Sequence, residues 1–116
     1  MNGNFGDRFP GATLLGEAEF ASAIVGRAFR YRYLASEIVV NRPKEFFREG
    51  GQYSMGHRPI SHGTYSIERG IVSIDCDCPY TFLGLGRKRV FFRHKGRLLT
   101  ASAELQGEVI ELIPES

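Results

Sequence analysis

The sequence is short of the residues that make several functions easy to recognise. It holds no tryptophan, two cysteines and two methionines in 116 residues. Two cysteines leave little for disulfide or metal staples, and a chain of this length can bury a modest core without them. Fifteen basic and thirteen acidic residues leave a formal net charge of +2, too small to imply a nucleic-acid partner by itself. No apolar run approaches the roughly 20 residues of a transmembrane helix. The opening stretch MNGNFGDRFPGATLLGEAEF lacks a basic segment followed by an apolar one, so no signal peptide is expected and the default location is cytoplasmic. Gly-x-Ser-x-Gly, a phosphate loop and His-Glu-x-x-His are all missing, so no enzyme class is signalled. There is no internal repeat and no low-complexity segment.

What is present points to β-structure. Hydrophobic residues make up 42% and charged residues 24%, the composition of an ordinary globular chain. Fourteen glycines beside nine phenylalanines and five tyrosines favour a turn-rich β fold over a helical bundle. The organising stretch is Phe46 to Ile74, FFREGGQYSMGHRPISHGTYSIERGIVSI, read as two antiparallel hairpins. Glu49-Gly50-Gly51 and Glu68-Arg69-Gly70 are the turn signals, because glycine reaches positive φ without steric cost. Between them Tyr53 and Met55 share one parity, and Gly63, Tyr65 and Ile67 another. Val72 and Ile74 then alternate with Ser73 and Asp75. Such alternation places one set of side chains on each face of a half-buried sheet.

The rest of the chain extends the pattern. Residues 1 to 12 carry Gly, Asn, Asp and Pro without periodicity and read as a loose tail. Residues 13 to 24, TLLGEAEFASAI, are the helical candidate, with Phe20 and Ile24 on one face. Strands are predicted over 27–34, 36–41, 46–49, 51–56, 60–68, 71–77, 87–94, 97–104 and 108–113, with turns at His94-Lys95-Gly96 and Leu105-Gln106-Gly107. Pro79 breaks the pattern, and 80–86 is ambiguous. The expected fold is mainly β: an antiparallel up-and-down meander of about eight strands, with one short N-terminal helix, forming a small barrel or half barrel over residues 13–116.

The order of motifs carries a resemblance. A short helix ends in Ile24 and Val25, followed by Gly26 and an aromatic strand. Phe47 to Tyr53 (F-R-E-G-G-Q-Y) comes next, then Gly63-Thr64-Tyr65-Ser66-Ile67 and Val72-Ser73-Ile74. In this order the chain resembles the lipocalin-like, or calycin-like, small barrels over about residues 17 to 113. It departs from them at their Gly-x-Trp signature, where Gly26-Arg27-Ala28 stands. That departure and the short chain suggest a reduced barrel, or a half barrel completed by dimerisation. The resemblance implies a cavity for a small, largely apolar ligand, with no chemistry and no cofactor. The inward parity would line that cavity with Phe29, Tyr31, Tyr33, Phe47, Tyr53, Met55, Tyr65, Ile67, Val72, Ile74 and Phe92, together with Val90.

Four further features weigh against that reading or beside it. Asp75-Cys76-Asp77-Cys78 places two thiols on one strand face. With His57, His62 or His94 they would make a metal site, and without one they are small core residues. The basic run Arg87-Lys88-Arg89, Arg93-His94-Lys95 and Arg97, with Phe91 and Phe92 inside it and Arg30 and Arg32 beside it, fits an anion or single-stranded nucleic-acid groove, or a solvated strand face. Glu37, Glu45, Asp75 and Asp77 are the carboxylates that a histidine acid–base role would need. Finally, Phe91, Leu99, Val109 and Ile113 form an extra apolar face through which the sheet would homodimerise.

Overall fold

The computed structural model describes residues 8–41, 44–56, 60–77, 85–105 and 107–115. The chain enters through a short strand β1 (Thr13–Leu14) and a helix α1 (Glu17–Ala23), then runs through β2 (Phe29–Tyr33), β3 (Val39–Val40), β4 (Lys44–Arg48), β5 (Gln52–Gly56), β6 (Ile60–Glu68), β7 (Ile71–Cys76), β8 (Lys88–His94), β9 (Arg97–Ser102) and β10 (Val109–Pro114). All pairings are antiparallel, in the order β3-β2-β10-β9-β8-β7-β6-β5-β4, with β1 added to β8. This is the expected up-and-down meander with one helix. The described residues form ten strands, and α1 is shorter than expected because Thr13 and Leu14 pair with Arg93 and Phe92. β7 begins opposite Val90, so the backbone of β8 beyond that point is left for β1. Leu15 extends the pairing by donating to the Phe91 carbonyl at 2.8 Å.

The turns follow their residues. Arg69 and Gly70 both hold positive φ, 54° and 80°, as do Lys95 and Gly96, 53° and 76°. Two consecutive left-handed residues match the right-handed twist of a two-residue hairpin. Gly63 has a different reason. A Cβ there would stand 2.2 Å from the Asp75 carbonyl oxygen and 2.7 Å from the Cys76 Cβ, so only glycine lets β6 and β7 approach at that point.

The sheet curls until its far strand β4 comes alongside β2. No backbone ladder joins them among the described residues. Instead Gly26 donates to the Phe47 carbonyl at 2.8 Å, the Lys44 ammonium to the Phe29 carbonyl at 3.0 Å, and the Glu45 N–H to the Tyr31 hydroxyl at 3.1 Å. α1 closes one end. Phe20 is 1% exposed and meets Phe47, Phe91 and Tyr65 at ring separations of 5.2, 5.1 and 5.8 Å, spacings typical of favourable aromatic pairs.

The interior holds one apolar cluster, and a second lies on the outer face of β8 to β10. The second is covered by the chain itself. Of the expected tail, residues 1–7 lie outside the described residues, but Phe9 is buried against Phe92 at 4.8 Å, and Leu105 closes the other side. Burial of such a ring contributes about 1.5–3 kcal/mol toward holding residues 8–12 on the sheet. Arg8 anchors them further by donating to the Leu105 carbonyl.

Candidate functional site

Burial on both faces of β8 decides which side chains point inward. Arg89, Val90, Phe91 and Phe92 are all at most 1% exposed. Alternation therefore cannot separate core from surface here, and the inward parity is Arg89 and Phe91. Val90 and Phe92 face the outer cluster, which corrects their expected place in a cavity.

Arg89 brings a charge into the interior of the curled sheet and meets Glu45 from β4. The guanidinium donates to both carboxylate oxygens, at 2.6 and 2.8 Å. Tyr53 donates its hydroxyl to Glu45 Oε2 at 2.7 Å, and Arg89 Nε reaches Thr100 Oγ1 at 3.3 Å. Arg89 also stacks 4.8 Å above the Phe91 ring. Every group in this network has a partner, as a buried charge requires. Burial pulls the Arg89 pKa down, but the Glu45 carboxylate outweighs it and the net direction is up. Burial and the neighbouring Glu45 push the Tyr31 and Tyr53 hydroxyls well above their ordinary value, so both stay protonated donors.

Of the eleven residues expected to line a cavity, ten lie in or against the interior cluster: Phe29, Tyr31, Phe47, Tyr53, Met55, Val72 and Ile74 within it, and Tyr33, Tyr65 and Ile67 at its margin. They pack on one another. Beside Glu45, Tyr31 and Phe47 lies a small recess of about 10 Å³, the room of a single water.

The larger concavity is outside, at the mouth. A groove of about 720 Å³ runs between the outer side of α1 and the ends of β9 and β10, within the usual size range of ligand sites. Ala23, Phe29, Leu98 and Leu112 give it an apolar floor, while Arg27, Arg93 and Arg97 line it with positive charge. Phe29, Leu112 and Arg27 also border the small inner space, so one wall separates the groove from the buried network. Sequence reasoning did not bring these groove residues together. The hairpin turn at Lys95-Gly96 was legible, but its position against α1 depends on how the sheet curls.

The remaining candidates are dispersed. Cys76 is buried in the interior cluster, while Cys78 and His57 lie outside the described residues. His62 is exposed on β6, and His94 contacts the Pro10 carbonyl at 3.0 Å. Among the described residues no three of His, Cys, Asp and Glu gather as metal ligands. The basic run is divided: Arg89 is spent on Glu45, and Arg93 and Arg97 line the groove. Arg32 pairs with Glu111 on the outer side. The extra apolar face also dissolves, because Phe91 is interior and Leu99 and Val109 lie under Phe9 and Leu105. The large exposed apolar side chains among the described residues are instead Ile38, Val39 and Ile60. No helix among the described residues is long and apolar enough to cross a membrane.

No family model, no curated protein and no solved structure matches the chain.

Proposed function

We propose that the protein is a binding module for a small ligand with an apolar part, in keeping with the lipocalin-like resemblance, and that its site is the groove at the barrel mouth rather than the barrel interior. The observation that carries this is the contrast in space: about 10 Å³ inside against about 720 Å³ in the groove. The interior aromatics fill their own volume and hold the arginine–glutamate pair. The apolar floor of Leu98, Leu112, Phe29 and Ala23 offers an apolar ligand burial at about 25 cal/mol per Å².

The test uses the neutral fluorophore N-phenyl-1-naphthylamine on the full chain. Ser22 lines the groove and its side chain is exposed, so Ser22→Trp fills the groove without touching the core. Fluorophore binding by the native chain and its loss by at least about tenfold in Ser22→Trp, a cost of about 1.4 kcal/mol, are the expected results. Equal binding by both proteins would place the site elsewhere.

A further inference from the structure

Resting on that groove reading, the charge along its walls identifies the ligand class. We propose that the groove takes a small organic anion, a carboxylate or phosphate on a short apolar stem, with the anionic group held by Arg93 and Arg97 and the stem lying on Leu98 and Leu112. Arg93 and Arg97 stand on the two strands of one hairpin, and both line the groove. Their backbones belong to the hairpin ladder, and neither guanidinium has a hydrogen-bond or ion-pair partner among the described residues. Arg27 enters from the segment that leaves α1 and uses its Nε on the Ser22 carbonyl at 3.3 Å, which leaves its terminal nitrogens for a ligand.

The groove's two carboxylates do not cancel this charge. Glu111 is held by Arg32. Glu19 accepts the Gly16 N–H at 3.3 Å and is one carboxylate against the three arginines that line the groove. Guanidinium groups bind carboxylate and phosphate oxygens through paired, charge-assisted hydrogen bonds. A long polyanion fits less well. Arg89, from the middle of the basic run, is sealed inside, and Phe91 and Phe92 are buried, so no aromatic of that run is left to stack bases.

The experiment compares octanoate, octyl phosphate, 1-octanol and octylammonium by calorimetric titration of the full chain at low salt. Octanoate or octyl phosphate binds at least about tenfold more tightly than octanol, and the advantage shrinks as salt rises to about 500 mM; the ratio of the two anions separates carboxylate from phosphate. Arg93→Gln with Arg97→Gln removes the anions' advantage over octanol, while the paired lysine variant retains most of it. Octanol binding as tightly as both anions, or octylammonium binding more tightly, overturns the anion inference and leaves the groove reading standing. No binding by any of the four probes overturns both.

Discussion

Arg89 on β8 and Glu45 on β4 meet inside the curled sheet as a two-pronged ion pair, 0% and 2% exposed at their side chains. β8 and β4 are far apart in the sheet order, with β7, β6 and β5 between them. The pair therefore ties opposite walls of the curled sheet, close to the seam where Tyr31 of β2 accepts from the Glu45 N–H. Desolvating two charges costs several kcal/mol each, which their attraction and hydrogen bonds offset only while both are present.

This gives a double-mutant prediction. Glu45→Leu or Arg89→Met alone breaks the buried polar network and lowers unfolding free energy by about 3–5 kcal/mol. The combination Glu45→Leu with Arg89→Met removes both charges and recovers most of that loss. Urea denaturation of the four proteins measures the coupling. Additive losses in the double variant would show that the two residues act independently, contrary to the geometry.

The tyrosines give a pH prediction. Tyr31 and Tyr53 are held protonated in the fold by burial and by Glu45, whereas in the unfolded chain they lose their protons near pH 10. A raised folded pKa means that the stabilisation is complete below about pH 10 and is lost as pH rises further. Each tyrosine then removes about 1.4 kcal/mol per pH unit. Stability measured by urea titration is expected to hold level in this respect up to about pH 9.5 and to fall above it. Tyr53→Phe flattens the fall, and a Tyr53→Phe profile that still drops as steeply would assign the alkaline transition to other groups. Phenolate absorbance gives the independent check, since of five tyrosines these two are expected to ionise only with unfolding.

Gly63 makes a sharper steric case. It lies opposite Cys76 on β7 and opposite Tyr53 on β5, and the space a methyl group needs is taken by backbone atoms of Asp75 and Cys76. Backbone cannot rotate away as a flexible side chain does, so Gly63→Ala forces β6 and β7 apart. The expected loss is at least about 2 kcal/mol. By contrast, Gly50→Ala meets nothing within 4 Å and strains only its positive φ of 77°, costing about 1 kcal/mol. Thermal melts of the two variants rank them, and equal losses would mean that the approach of the strands at Gly63 relaxes freely.

Much of this architecture was legible because local rules suffice for hairpins. Arg69-Gly70 and Lys95-Gly96 announce their turns, and the alternation in β6 and β7 places Tyr65, Ile67, Val72 and Ile74 on the inner face without help from the rest of the chain. The failures lie where a residue's fate depends on distant elements. Alternation in β8 loses meaning when both faces are covered, so Arg89 reads as a surface charge although it is the most enclosed cation in the described structure. Phe9 follows Arg8 in an aperiodic stretch and becomes core only because β8 and β9 present Phe92 and Leu99 to it. Thr13 and Leu14 read as helix because the vacancy they fill is created by the start of β7. Glu45 carried a weak signal: it shares parity with Phe47 on a five-residue strand, which puts a carboxylate on the inner face and calls for a cation there.

The wall between the groove and the inner space yields the last prediction. Leu112 is 3% exposed and borders both the groove and the small cavity beside Glu45 and Tyr31. Leu112→Ala is expected to open that wall between the two spaces while Phe29 and Arg27 remain as its other members. The fold is expected to lose about 2–5 kcal/mol, as buried leucine truncations do. Ligand preference should change in the opposite sense. If the apolar stem lies on Leu112 with its anionic end toward Arg93 and Arg97, the stem points at the opening, so longer stems gain contact in the variant. Decanoate measured against octanoate is expected to improve by a few-fold in Leu112→Ala relative to the native chain, each added buried methylene being worth about 0.8 kcal/mol at most. A chain-length preference that stays fixed while stability falls would mean that the stem lies along α1 over Ala18 and Ala23 instead, and would redirect the search for selectivity to the helix side of the groove.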